Sequence, residues 1–235
     1  MGHGGSSEEP SPPWNSLCET FLACQESRKV NRENRSQTMS GYTEFTFQGQ
    51  PGYDEAAARE IIASVIPVRT IAMYCFDPRA AGAAKAVADY FGDEVYPGEL
   101  ILDEAGRKMG STATVFPLIV GGGRAADALR SITVSQHLFG IERVVVVHHS
   151  FCGATSFTAE GITAAWKNEQ HTDISSLYDW DGISIADFEK SLNYDVSLIR
   201  NSPGTPKRIE IYGLFYDIDS GELTEIVRDV PAEAA

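Results

Sequence analysis

Apolar and polar positions change their spacing several times along the chain. Apolar residues at helical spacing predict helices over residues 54–65, 80–91, 124–140 and 184–201. Short apolar runs that are nearly unbroken predict buried strands over residues 69–75, 114–120, 142–149 and 208–218. Strands that alternate with helices indicate βαβ units. The predicted fold is therefore α/β, with a mainly parallel sheet of four strands, a fifth strand at the edge and helices on both faces.

Three details refine this prediction. The unbroken run Val144–Val147 is typical of a strand buried on both faces, as in a parallel sheet. Pro117 lies within a predicted strand and cannot donate a ladder hydrogen bond, so that strand is expected at a sheet edge or at a bulge. Gly140 follows a helical pattern and is expected to end that helix.

The chain divides by composition near residue 40. Residues 1–40 are rich in Ser, Glu, Asn, Pro and Gly, and predict a flexible extension. Four apolar side chains in it recur at helical spacing and predict one short amphipathic helix: Trp14, Leu17, Phe21 and Leu22. Residues 41–235 form the predicted main domain. Whether residues 1–38 belong to the mature protein stays open, because Met39 could itself begin a chain.

Charge and hydropathy exclude several classes of partner. The 33 acidic residues outnumber the 19 basic ones, which gives a net charge of −14. Such a surface repels nucleic acid and anionic membranes. No apolar run approaches the roughly 20 residues of a membrane-spanning helix, and the first residues lack the pattern of a secretory signal. We therefore expect a cytoplasmic protein that binds neither nucleic acid nor membranes.

Two short clusters carry the candidate chemistry. Cys75, Asp77 and Arg79 follow one predicted strand, and His149 and Cys152 follow another. Because the carboxyl ends of parallel strands share one edge of a sheet, these side chains are expected to meet. Two thiolates and one imidazole suit Zn²⁺, and three protein ligands leave a tetrahedral ion one open position for catalysis.

Other interpretations of these residues stay open. A structural zinc site needs a fourth ligand, and no obvious one occurs among the remaining candidates, which are His3, Cys18, Cys24, His137 and His171. A thiol redox role for Cys75 and Cys152 is weaker, since they do not form a C-x-x-C motif. On ligand chemistry alone, a metal site and an ordinary pair of buried cysteines are about equally plausible.

Three further features receive a structural interpretation. His148 alternates with His149 along the strand, so it is expected on the opposite face, without a ligand role. His137 lies in an apolar helical stretch and is interpreted as a core histidine. Three glycines, 121–123, precede a helix and could cradle an anion, but close backbone packing is the simpler account.

The order of these motifs resembles the β-class carbonic anhydrases over most of residues 54–220. The resemblance lies in Cys-x-Asp-x-Arg after one strand, then GGR, RSITVSQHLFG, a Val-rich strand ending in HHxxCG, and IYGLFYDIDSGEL. It implies Zn²⁺ held by Cys75, His149 and Cys152, with Asp77 and Arg79 as a catalytic dyad. It further implies hydration of carbon dioxide to bicarbonate by a zinc-bound hydroxide, and a homodimer or homotetramer. Asp77 could also close the site as a fourth ligand.

The sequence departs from the family where a substrate would lie. Many β-class enzymes have a polar stretch where this chain has Ile119, Val120, Gly121 and Gly122, and Phe151 replaces an acidic or small residue. These predicted pocket residues make the site more apolar and keep carbonyl sulfide hydrolysis as an alternative, since a few apolar groups change discrimination by ~1–3 kcal/mol. Either substrate is small and neutral. An alternative of another class is a non-catalytic zinc-binding regulatory protein.

Overall fold

The computed structural model describes residues 42–232. They fall into two compact units, one up to Ile61 and one from Ile62 onward. The predicted extension over residues 1–40, with its amphipathic helix, lies outside the described residues. Across residues 42–232, no helix has both the length and the apolar character needed to cross a bilayer.

The described part of the first unit contains a 3-10 turn and the start of a helix. The turn covers Thr43–Phe45. The helix, α1, runs over Glu55–Val65 and so confirms the prediction for residues 54–65. The Asp54 carboxylate accepts a hydrogen bond of 2.8 Å from the backbone N–H of Ala57, which caps the first turn of α1.

The second unit contains a five-stranded sheet, a two-stranded hairpin and several helices. Its further helices are α2 (Ala83–Phe91), α3 (Leu129–Phe139), α4 (Ala159–Glu169), α5 (Trp180–Ile183) and α6 (Phe188–Asn201). Its strands are β1 (Thr70–Cys75), β2 (Leu100–Leu102), β3 (Lys108–Ser111), β4 (Val115–Val120), β5 (Arg143–His149), β6 (Glu210–Tyr216) and β7 (Leu223–Asp229).

The strand order confirms the predicted architecture. The sheet runs β4-β1-β5-β6-β7, and the hairpin is β2-β3. Strands β4, β1, β5 and β6 pair in parallel, whereas β7 pairs antiparallel to β6. Strand β4 lies at an edge, which is one of the two positions that Pro117 predicted, since a proline has no N–H to donate to a neighbouring strand.

Both faces of the sheet are buried, as the run in β5 predicted. On one face Val144 and Val146 pack with Ile132 of α3 and Leu192 of α6. On the other face the intervening valines of β5 pack with Val87 of α2. Since burying a valine stabilises a fold by about 1.5–3 kcal/mol, β5 anchors both layers. The carboxyl ends of β1 and β5 are thereby fixed side by side.

Some elements differ from the sequence prediction. A 3-10 turn over Pro78–Ala80 precedes α2, because the Asp77 side chain caps that turn. Helix α6 begins at Phe188 rather than 184, since Asp187 accepts from the N–H of Lys190 and sets the first turn. The prediction lacked four elements of the second unit, which are β2, β3, α4 and α5, and did not locate the edge strand β7.

A buried cluster of charged side chains lies at the amino ends of the parallel strands. The Glu94 side chain is 0% exposed and accepts from Arg143 Nη1 at 2.8 Å and from Thr70 Oγ1 at 2.7 Å. Arg69 Nη2 lies 3.4 Å from the same carboxylate. Thr70 and Arg143 are the first residues of β1 and β5, so this cluster joins the amino ends of the strands.

Candidate metal centre

Three potential metal ligands converge at the carboxyl edge of the sheet. Cys75 is the last residue of β1, His149 is the last residue of β5, and Cys152 follows three residues later. All three are buried, and their ligand atoms lie within 4.8 Å of one another. The two Sγ atoms are 3.9 Å apart, and both cysteines are free thiols. This spacing could accommodate one metal ion between the three side chains.

The orientation of His149 fits metal binding. Its Nδ1 lies 2.9 Å from the Ser150 carbonyl oxygen, which can only accept, so Nδ1 carries the proton. Its Nε2 is buried and has no hydrogen-bond partner within residues 42–232. A buried nitrogen lone pair without a partner is costly, and a cation would satisfy it.

The two thiols also fit a cation. Burial, with a smaller contribution from the neighbouring Cys75, raises the pKa of the Cys152 thiol to about 11. Two adjacent thiolates repel each other in a buried site, so without a cation the protonated thiols are favoured. A dication between them favours the thiolates instead. Thiolate and imidazole groups are ligands that suit Zn²⁺. A set of three such ligands would leave one position of a tetrahedral ion open. The residues present therefore fit the metal.

Asp77 and Arg79 form a two-pronged ion pair next to the cysteines. Arg79 Nε donates to Asp77 Oδ1 at 3.0 Å, and Arg79 Nη2 donates to Oδ2 at 2.7 Å. The backbone N–H of Arg79 also donates to Oδ1 at 2.9 Å. These hydrogen bonds lower the pKa of the Asp77 carboxyl well below its usual range. Asp77 is therefore ionised throughout the neutral range.

The ion pair of Asp77 and Arg79 connects the two segments that carry the candidate ligands. The backbone N–H of Asp77 lies 3.4 Å from Cys75 Sγ. Arg79 Nη2 donates at 3.0 Å to the carbonyl oxygen of Phe151, which stands between His149 and Cys152. The guanidinium thus holds the carboxylate on one side and the second ligand segment on the other.

The predicted pocket residues take different positions. Ile119 is exposed, whereas Val120 packs partly against the core. Gly122 is buried, and a Cβ there would lie 3.1 Å from that of Ala154 in the turn after Cys152. Phe151 is 74% exposed.

The glycine stretch allows close backbone packing. Gly123 has φ +69°, and a Cβ there would lie 2.7 Å from the Val147 carbonyl oxygen and 3.3 Å from the Cys75 nitrogen. Gly121 is partly exposed, and its Cβ would meet the ring of Phe76, itself 70% exposed and not predicted to be part of the site. Close packing against the ends of β1 and β5 therefore accounts for these glycines.

Phe151 has an unusual backbone conformation. Its φ is +54°, in the left-handed region, where a bulky side chain costs about 1–2 kcal/mol. We expect Phe151→Gly to be more stable than Phe151→Ala by about 1 kcal/mol, because only alanine keeps a Cβ in that region. Urea denaturation of the two variants measures the difference.

Phe76 provides the control for this comparison. It is similarly exposed but is not among the described non-glycine residues with positive φ. There the order should reverse, with Phe76→Ala more stable than Phe76→Gly, because glycine adds unfolded-state entropy without relieving strain. The same order at both positions would contradict the proposed strain at Phe151.

The remaining histidines have different environments. His148 is buried on the face opposite His149, as predicted, and its Nε2 lies 3.2 Å from Asp195 Oδ2. Burial lowers the pKa of His148, so the ring is neutral and Nε2–H donates to the carboxylate. His137 is exposed in α3, so its interpretation as a core histidine is wrong. His171 is exposed in a loop.

Sequence reasoning missed a buried ion pair behind the site. Arg124 follows the glycine stretch, and its Nε donates at 2.9 Å to Oδ2 of Asp195, which is 0% exposed. The available signal was an aspartate on the apolar face of a helix, between Leu192 and Ile199. A carboxylate in such a position requires a buried partner.

Comparisons with curated proteins identify relatives of this chain. No protein-family model matches it. A protein named β-carbonic anhydrase 1 from Mycobacterium tuberculosis is 28% identical over 100 residues, which is 43% of this chain and 59% of that protein. A protein named carbon disulfide hydrolase from Acidithiobacillus thiooxidans is 26% identical over 118 residues, 44% of this chain and 59% of that protein. The match thus spans less than two thirds of these relatives.

A solved structure extends the likeness to the fold. The carbonic anhydrase of Streptococcus mutans is 25% identical, with a TM-score of 0.51. The likeness covers 81% of this chain and all of that one. Sequence similarity, strand order and the Cys-His-Cys cluster all point to the same group of relatives. In sequence and in fold, the chain is therefore similar to the β-class carbonic anhydrases, and in sequence also to a carbon disulfide hydrolase.

Proposed function

We propose that this chain is a zinc enzyme that catalyses the reversible hydration of carbon dioxide to bicarbonate and a proton. The observation that carries this proposal is the meeting of three buried ligand atoms within 4.8 Å beside an ionised aspartate. The metal ligands would be Cys75, His149 and Cys152. Three protein ligands leave the position that a catalytic zinc site requires.

Each component has a physical role. Bound Zn²⁺ would act as a Lewis acid and lower the pKa of water from 15.7 to about 7. Asp77 would accept a hydrogen bond from the attacking water. This hydrogen bond would orient a lone pair of the water oxygen towards the substrate carbon. Arg79 would hold Asp77 ionised and, through its fixed fork, away from the metal ligands. The exposed apolar side chains Ile119 and Phe151 would border the approach of a neutral substrate.

Carbonyl sulfide is the second candidate substrate. Its hydrolysis consumes one water and yields hydrogen sulfide and carbon dioxide, so attack at carbon is the same step. The apolar residues Ile119, Val120 and Phe151 favour this candidate, because they offer no charged donor to retain bicarbonate. The similarity to a carbon disulfide hydrolase is consistent with it.

A paired assay tests the two candidates. Zinc-loaded protein is mixed with carbon dioxide in a stopped-flow instrument, and separately with carbonyl sulfide while sulfide release is followed. Fast hydration with negligible sulfide release supports the first candidate, and efficient sulfide release with slow hydration supports the second. Stoichiometric zinc without either activity would overturn both and favour a non-catalytic regulatory protein.

We also propose that the protein assembles as a homodimer or homotetramer. Phe76 and Phe151, both mostly exposed, lie next to the ligand cluster in sequence and would gain burial against a second copy. The site would then border the subunit interface. Light scattering that returns the mass of one chain would contradict this assembly.

A further inference from the structure

A buried guanidinium lies where three segments meet behind the ligand cluster. Arg124 is 2% exposed. It donates to both oxygens of Asp195, through Nε at 2.9 Å and through Nη2 at 3.3 Å. Nη1 donates to the carbonyl oxygen of Ser184 at 2.6 Å, and Nη2 also donates to the carbonyl oxygen of Asp181 at 2.7 Å. One side chain therefore ties the glycine stretch to α6 and to the segment that precedes α6.

Each of these segments contacts a ligand-bearing strand or turn. Gly123, the residue before Arg124, packs on the backbone of Cys75 and Val147. The backbone N–H of Ile185 donates at 2.9 Å to the carbonyl oxygen of Ala154, in the turn after Cys152. Ile185 also packs with both ligand cysteines. A shift of Arg124 would therefore reach Cys75 and Cys152 from two directions.

Asp195 extends the connection to the third ligand. It accepts from Arg124 and from His148, the residue before His149. Phe188, in the first turn of α6, packs against the cluster of Cys75, Cys152 and Ile185. Its ring centroid lies 6.4 Å from that of His148. Helix α6 is thus fixed to the site by one carboxylate and one aromatic ring.

We infer that Arg124 and Asp195 are positioning residues for the metal site, which hold the three ligands at the spacing that a tetrahedral ion requires. This role rests on the proposed zinc function. The pair does not touch the ligand atoms and acts through the glycine stretch, the Ala154 turn and His148. Groups that orient metal ligands in this indirect way change metal affinity by about 10–100-fold when replaced.

The test compares two buried carboxylates at opposite ends of the sheet. Asp195→Asn and Glu94→Gln each neutralise a side chain that is 0% exposed and paired with an arginine. The readouts are Zn²⁺ affinity by chelator competition, the visible spectrum of the Co²⁺-loaded protein, and thermal unfolding. We expect Asp195→Asn to weaken Zn²⁺ binding at least about 10-fold and to change the Co²⁺ spectrum. Glu94→Gln should lower only the melting temperature.

Two other results would overturn the inference. Wild-type affinity and an unchanged Co²⁺ spectrum in Asp195→Asn would show that the pair has no positioning role, as would equal spectral changes in Glu94→Gln. Should Asp195→Asn fail to fold, Arg124→Lys replaces it, since lysine keeps the charge but not the fork to Ser184 and Asp181. Failure of the wild-type protein to bind Zn²⁺ would instead refute the proposed function, and the positioning role with it.

Discussion

Replacing Cys152 with alanine is expected to lower kcat/KM for carbon dioxide hydration by about a thousandfold. Lewis-acid activation of water is worth several kcal/mol, and ~4 kcal/mol corresponds to that factor. Cys152 is 2% exposed and supplies one of only three converging ligand atoms in the described residues. Two remaining ligands hold zinc poorly. Stopped-flow kinetics and the zinc content of the purified variant measure both effects.

Cys24 provides the matched control for loss of a thiol. It lies in the first 40 residues, outside the described part of the chain, and the proposed site does not include it. Cys24→Ala should retain full zinc content and full activity. Undiminished hydration by Cys152→Ala would remove Cys152 from the metal centre, and equal losses in both variants would indicate a nonspecific effect of thiol removal.

Replacing Asp77 with asparagine is expected to lower kcat about a hundredfold while zinc content stays unchanged. Positioned proton acceptors contribute about 10²–10⁴-fold to rate. Asparagine matches aspartate in shape, but its amide group carries no charge to pair with Arg79. Hence the hydrogen bonds of 3.0 and 2.7 Å from Arg79 would lose their ionic partner. Metal analysis beside kinetics separates this effect from loss of the ion.

Asp103→Asn is a closely matched control for this variant. Asp103 pairs with Arg107 Nε at 2.6 Å, and its side chain is 13% exposed, compared with 15% for Asp77. The pair lies between β2 and β3 and does not include any ligand segment. Asp103→Asn should hydrate carbon dioxide at the wild-type rate. Wild-type kcat in Asp77→Asn would contradict the role proposed for the dyad.

The sheet was predictable because the amino-acid composition of its strands indicates how deeply each strand is buried and where it lies in the sheet. A strand buried on both faces is typically apolar at successive positions, and Val144–Val147 shows this pattern without reference to the rest of the chain. Pro117 likewise restricts its strand to a sheet edge or a bulge, because proline has no N–H to donate to a neighbouring strand. The edge position of β4 and the burial of β5 on both faces agree with these local rules.

Other features depend on tertiary contacts between distant parts of the chain, which the local sequence pattern does not indicate. Leu100–Leu102 are three successive aliphatic residues, yet all three are exposed in a short hairpin, so composition does not reveal their environment. His137 lies among apolar residues but on the solvent side of α3. The partnership of Arg124 with Asp195 spans 71 positions and exists only once α6 packs on the sheet. Local spacing indicated the candidate ligand residues and could not indicate which buried residues support them.

The two ends of the sheet carry different kinds of residue, and this has a consequence for protein evolution. The Glu94 cluster and the proposed metal ligands are separated by the length of β1, roughly 17 Å at 3.3 Å per residue. Interactions between sites so far apart are close to additive. Directed evolution towards a new substrate would therefore draw its activity-changing substitutions from the carboxyl-end loops. Substitutions that restore stability could accumulate around Glu94. Selection for stability and selection for a new activity would then act on residues at opposite ends of the sheet.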